Sequence, residues 1–558
     1  MNRASSYSLA LFVLSSVVAC GPNVSPGGDD DPKPPVDAAD PPPIDAPPEP
    51  TSVFPTDPII DPTAPPNAPD LFDDPGSTVG GPCLLEPEVG ALFPHGWLRP
   101  RFRLAAPGNH NLFELRLHVN GQANDLVVYT AQPVWILPNT IWQALNQVAV
   151  NQPIEVRVRS ARYNGTGLDA PPSTGTVGSF TIAPVAAQGS IVYWTTGTGA
   201  GALKGFDVGD ENVRGVLVPQ DAGTVCIGCH TSTPDGQFVA FNGRNAPTDG
   251  RPAYADVRSL DGTATRPSFI TPDAIALLSR TFQHQPVFSK GHWTPGDRIA
   301  LSTLGQDDTG GQGSRSRLIW TDLEATSQAE GVGWGTLTRT GDTGYAAAPA
   351  FSNDGVAIAY TGAAYISSGM NLDRGGGDIW TIPYNDGLGG TAIKLPGASS
   401  AEYSEHYPAF SADDQLIAFT RVPNSSSSYD KAVSEIWVER FRGGQGDTPV
   451  RLAANDAPAC SGQVSPGLTN SWPKWSPQAE VHGDTTYYWL TFSSRRDPRH
   501  IDPLDEEVVN RPRPQLYVTA ITVTNGVIKT YPSIYFWNQP ETENNHTPAW
   551  DNFDIPID

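Results

Sequence analysis

Two patterns of apolar and polar positions divide this chain. Between residue 82 and about residue 185 they alternate in short runs: Phe113-Glu-Leu-Arg-Leu-His-Val119, Leu126-Val-Val-Tyr129, Ile154-Glu-Val-Arg-Val158 and Gly178-Ser-Phe-Thr-Ile182. A period of two marks strands with one buried face, and about 100 residues of them suit one antiparallel β-sandwich. From about residue 189 the pattern becomes a repeat. One unit reads Pro349-Ala-Phe-Ser-Asn-Asp-Gly355, then Ala357-Ile-Ala-Tyr360, then Asp378-Ile-Trp-Thr-Ile382. The next reads Pro408-Ala-Phe-Ser-Ala-Asp-Asp414, Leu416-Ile-Ala-Phe419, Glu435-Ile-Trp-Val438. A third begins at Pro473-Lys-Trp-Ser-Pro477, and earlier copies lie at Trp293–Leu301 and Pro234–Phe241. Each unit is a strand, a tight Asp-Gly-type turn, a buried strand, a loop and a further strand. Units of about 40–70 residues with this content predict the blades of a β-propeller.

The predicted fold class is therefore all-β: a β-sandwich followed by a six-bladed propeller, or seven-bladed if two units have been merged. Five full copies are present. A partial copy at Asn544-Asn-His-Thr-Pro-Ala-Trp550 closes the ring if its outer strands come from Gly189–Trp194 and the segment after it. The propeller units resemble the PD40 repeats of TolB-like propellers over about 370 residues, and the sandwich resembles a fibronectin type III module.

The first eighty residues follow neither pattern. Arg3 precedes a short apolar run from Leu9 to Val18 that ends in Val17-Val-Ala-Cys20. The run is too short to span a bilayer and reads as a signal peptide. Small residues before a cysteine resemble the lipobox of bacterial lipoproteins. That resemblance implies that Cys20 is lipidated and becomes the mature N-terminus, with outer-membrane anchoring favoured by Gly21. Residues 21–80 hold 18 prolines, 11 Asp, one Glu and one Lys. They read as a disordered tether with a reach of up to roughly 180 Å. The expected organisation is thus a signal peptide at 1–20, tether at 21–80, sandwich at 81–187 and propeller at 188–558.

Composition refines this. The net charge of −24 argues against nucleic acid as a partner, since no basic stripe is present. Of that charge, −11 belongs to the tether. The predicted partners are a membrane, through the lipid anchor, and a redox or envelope protein.

The candidate chemistry lies in the five cysteines. Cys226-Ile-Gly-Cys229-His230 is a C-x-x-C-H motif, the spacing at which two thiols bond the vinyl groups of haem and the histidine ligates iron. A redox disulfide and a zinc site are the competing readings; the first lacks its βαβ context, and the second needs another ligand in place of the usual second Cys pair. For the distal position, histidines stand two residues before the repeat proline in three units, at His284, His406 and His546. They are candidate haem ligands, or the site of a second divalent metal in the channel. Met370 is the rival distal ligand, and His292 a weaker one. Cys83 and Cys460 remain as a candidate disulfide joining sandwich to propeller.

Two functions follow from these features. The first is an extracytoplasmic, lipid-anchored c-type haem protein that transfers electrons. The alternative takes its cue from the resemblance: a metal-dependent, lyase-like propeller enzyme, or a TolB-like scaffold engaging envelope proteins.

Overall fold

The computed structural model describes residues 52–196, 201–244, 254–280, 286–305, 316–364, 375–428, 430–497 and 512–555. The alternating region folds into two sheets that share a core. The larger runs Ile59–Ile60, Leu126–Thr130, Leu112–Val119, Pro153–Ala161, Ser173–Ala186, Leu92–His95 in spatial order. The smaller runs Cys83–Glu86, Arg101–Ala105, Val134–Ile136. Leu115, Leu117, Val156 and Phe180 of the first pack with Leu84, Phe102 and Leu104 of the second. A helix, Asn139–Val148, covers part of this core with Ile141, Trp142 and Leu145. The strand alternation does not announce it; its apolar residues recur at three and four positions instead of two.

The expected tether is corrected by this fold. Residues 52–80, assigned to the spacer, are packed on the sandwich. Ile59–Ile60 adds a parallel edge strand along Val128–Tyr129. Phe54, Ala68 and Phe72 are buried. The Arg159 guanidinium, itself paired with the buried Glu114, donates to the carbonyls of Phe72 and Asp74. Averaging composition over sixty residues hid four large apolar side chains, Phe54, Ile59, Leu71 and Phe72, that are enough to pin a proline-rich strand to a sheet edge. Cys20 and residues 1–51 lie outside the described residues.

Six further antiparallel sheets follow among the described residues and form the propeller. Cys226–Ser232, Phe238–Arg244 and Tyr254–Ser259 make the first. Three four-stranded sheets have Asp297–Leu304, Ala357–Ala363 and Leu416–Pro423 as their second strands. The fifth is built on Ser471–Trp475, Thr485–Ser494 and Gln515–Thr524. The sixth joins both ends of the region: the C-terminal strand Asn544–Asp551 pairs with Ser190–Thr196, which continues into Ala202–Asp207 and Arg214–Leu217.

The repeat motif has a local cause. At the turn leaving the innermost strand, Thr233, Ser352 and Ser411 each donate a hydroxyl to the Asp two residues on, at 2.6–2.7 Å. Gly236 and Gly355 then take φ of 72° and 78°, which the turn requires. Sandwich and propeller belong to one compact unit. Trp489, Val518, Phe536 and Trp550 of the propeller enter the same apolar cluster as the sandwich core. Cys83 and Cys460 form a disulfide across the junction, with Cα atoms 5.5 Å apart.

Candidate functional site

The C-x-x-C-H segment is the innermost strand of the first propeller sheet. In a regular strand, positions i and i+3 face opposite ways. Here a bulge intervenes: Cys226 and Ile227 pair with Arg244 and Gly243, whereas His230 pairs with Phe241. Gly228 and Cys229 together oppose Asn242, so the extra residue returns Cys229 to the face of Cys226. Both thiols are free and half-buried. The same register puts His230 on the other face, with Ile227.

Equivalent bulges occur in the third, fourth, fifth and sixth sheets and meet around the channel. Cys229 and His230 line a cavity of about 40 Å3 together with Ala348-Pro349, Tyr407-Pro408, Trp472-Pro473 and Thr547-Pro548. His230 thus stands where the other sheets carry proline. Ala348, Tyr407, Trp472 and Thr547 all hold positive φ, between 45° and 62°. Non-glycine residues in that region cost about 1–3 kcal/mol each and persist only where the surroundings over-determine them. Cys229 packs against Ala348, Tyr407 and Trp472.

Burial sets the charge states here. It pushes the Cys229 thiol up to about 11, against a smaller opposing pull from the Lys474 ammonium. It lowers His230 to about 4, so the imidazole is neutral. One of its ring nitrogens, Nε2, bonds the Val192 carbonyl at 3.1 Å, while Nδ1 is buried without a hydrogen bond. Lys474 lines both this cavity and a second one of about 140 Å3 beyond it. Burial lowers its ammonium below the ordinary value, and it makes no hydrogen bond or salt bridge with a described residue. Lys474 was not singled out in the sequence; the signal was its place directly after the repeat proline, Pro473.

The expected distal ligands are not brought together. His284 and Met370 lie outside the described residues. His406 is fully buried in the fourth sheet and lowered to about 3 by burial. It packs edge-on against Tyr407 and is not among the residues lining the 40 Å3 cavity. His546 pairs across the sixth sheet with Trp194, ring centroids 4.5 Å apart. His292 spends both nitrogens on structure, one on the Asp297 carboxylate and one on the Gly355 carbonyl. Among the described residues no three His, Cys, Asp or Glu side chains form a metal-ion ligand set.

These observations test the motif against covalent haem. Two free thiols on one face fit thioether attachment to a porphyrin edge. A neutral imidazole with one nitrogen on a carbonyl and the other unpartnered has the donor chemistry of a metal ligand. Its direction does not fit the same porphyrin, because the strand points it away from the thiols. A space of about 40 Å3 also keeps a porphyrin out of the channel itself.

No protein-family model matches the chain, and no curated protein matches it. Among solved structures it is similar to Kuenenia stuttgartiensis hydrazine synthase, at 15% identity over 52% of this chain and 70% of that one, with a TM-score of 0.29. It is also similar to the Synechocystis apocarotenoid oxygenase (11% identity, 62% and 78% coverage, TM-score 0.28). A third is the Hadza microbial sialidase Hz136 (9%, 84% and 89%, 0.21). The propeller assignment stands on the sheets themselves; these scores are too low to add to it.

Proposed function

We propose that this protein is a lipid-anchored, extracytoplasmic haem protein of the TolB-like propeller type, with haem held by thioether bonds from Cys226 and Cys229. The observation that carries the reading is the bulge that sets both thiols of the C-x-x-C-H spacing on one face of the strand. Haem bound there would supply one-electron exchange at iron. The chain's own part is to fix the two sulfurs on a rigid innermost strand and to keep His230 neutral. Ligation through His230 requires that it give up the Val192 carbonyl. The acidic spacer ahead of residue 52 and the lipidated Cys20 would hold the haem-bearing propeller at the outer membrane, within reach of a redox partner.

The test is expression of the full chain in a host with cytochrome c maturation machinery, followed by a pyridine haemochrome spectrum of the denatured protein. A covalent haem signal that disappears in Cys226→Ser/Cys229→Ser is the expected result. A chain that matures without covalent haem overturns the proposal. His230→Ala, His284→Ala, His546→Ala and Met370→Ala spectra then identify the axial ligands.

The second reading, a metal-dependent propeller enzyme using His284, His406 and His546, is favoured by one observation: His406 is fully buried and held neutral, the form in which an imidazole ligates a metal. Metal analysis of the purified protein and of His406→Ala separates it from the first.

A further inference from the structure

Where the sandwich meets the propeller, a cavity of about 360 Å3 opens between the strands Cys83–Glu86 and Arg101–Ala105 on one side and Tyr517, Ser533 and Tyr535 on the other. The segment around Cys460, held by its disulfide, closes one flank. The volume falls within the range of about 300–1,000 Å3 in which small molecules are held, and junctions between domains are a favoured place for such sites.

Its chemistry narrows the occupant. Leu85, Pro87, Leu104, Pro133, Val134 and Pro458 make the lining predominantly apolar. The charged groups at its edge are already matched. Arg101 and Arg103 both donate to Glu86, and Arg101 also to Glu541. Arg496 spends its donors on the carbonyls of Ala454 and Asp456 and on Asn470, Ser494 and Ser533. Glu88 accepts from the Ser533 amide and hydroxyl. No charge is left over to select an ion. Tyr517 lines the cavity, and its hydroxyl hydrogen-bonds no described residue. Its ring is fixed by stacking on Phe492 and by the Arg496 guanidinium 4.7 Å above it. A phenol ring held this rigidly offers its hydroxyl to an incoming oxygen at little cost in side-chain ordering.

We propose that this junction is a binding site for a neutral, largely apolar small molecule of one or two rings that presents a hydroxyl or carbonyl oxygen to the Tyr517 hydroxyl. The site is separate from the thiol pair and does not depend on haem.

Titration calorimetry of the full chain with 2-naphthol at neutral pH tests it, with naphthalene as the matched probe that lacks the oxygen. The expected result is one 2-naphthol site with Kd of about 10–100 μM, in line with the affinity per atom of small ligands. Ala105→Trp, at the mouth of the cavity, abolishes it. Tyr517→Phe weakens 2-naphthol about fivefold, the worth of one hydrogen bond, and leaves naphthalene unchanged. No 2-naphthol isotherm with the wild-type chain overturns the proposal. So does binding that both variants leave intact, or a Tyr517→Phe effect equal for the two probes.

Discussion

Tyr407 and Trp472 lie face to face at the channel mouth, ring centroids 3.9 Å apart and 19° from parallel, although each holds its backbone at positive φ. They occupy the same bulge position in neighbouring sheets, each followed by proline. Stacking and proline together hold a conformation that neither residue adopts readily. Ala348 occupies the same position at φ 45° with no large side chain to compensate. Ala348→Gly is therefore expected to stabilise the protein by about 1 kcal/mol, the reverse of the usual effect of glycine in a strand. Thermal unfolding checks this; a lower Tm would mean that the backbone there is not strained.

The Cys83–Cys460 bridge spans 377 positions of sequence. Closing so long a loop restricts the unfolded chain strongly, so Cys83→Ser is expected to lower stability by about 2–5 kcal/mol. Docking should survive, because Arg101–Glu541 and the Trp537 indole on the Arg99 carbonyl remain. Urea unfolding with and without reductant measures it. Equal midpoints would show that the junction contacts already do the work of the bridge.

The repeat was legible because its turn chemistry is local: Ser or Thr, then Asp, then a residue at positive φ recurs at three innermost-strand ends, after Thr233, Ser352 and Ser411. The alternating strands of the sandwich were legible for the same reason. The placement of His230 was not. Position counting put it correctly at the repeat proline, but which way it points depends on where the bulge falls, and that is decided by pairing with Asn242 and by the Val192 carbonyl of another sheet. The histidines at 406 and 546 share a repeat position, yet neither lines the 40 Å3 cavity. Lys474 and Tyr517 carry no motif, and their roles come from what surrounds them.

Cys229 and Cys226 should differ as nucleophiles before any modification. With the Cys229 thiol near 11, roughly one molecule in a thousand carries its thiolate at pH 8. Iodoacetamide labelling at pH 8, followed by peptide mass mapping, is expected to mark Cys226 first. Lys474→Met removes the one cation that lowers Cys229 and should slow its labelling further. Equal labelling of the two thiols would show that the Cys229 thiol is not raised in the folded protein.

Glu405 and Glu439 share a buried cluster with Arg421 in the fourth sheet. Arg421 donates to one oxygen of Glu405, while the second oxygen of Glu405 and both oxygens of Glu439 have no hydrogen bond. Burial raises Glu405 to about 7 and Glu439 to about 8, and each carboxyl sits within the field of the Arg421 guanidinium, which opposes the rise. Both values lie above the ordinary 4.5, so between about pH 4.5 and 8 the folded protein holds protons that the unfolded chain releases. Stability therefore falls as pH rises through that window and is greatest at its acid end. The two groups lose their protons as a coupled pair, so a single-site titration curve is not expected. Glu439→Gln keeps the shape and removes one of the two ionisations. It should match the wild type within about 0.5 kcal/mol at pH 5 and exceed it by about 1–3 kcal/mol at pH 9, the range for leaving a buried polar group unmatched. Urea midpoints at pH 5, 7 and 9 give the comparison. Parallel pH profiles for the two proteins would mean that Glu439 is ionised and solvated in the folded state.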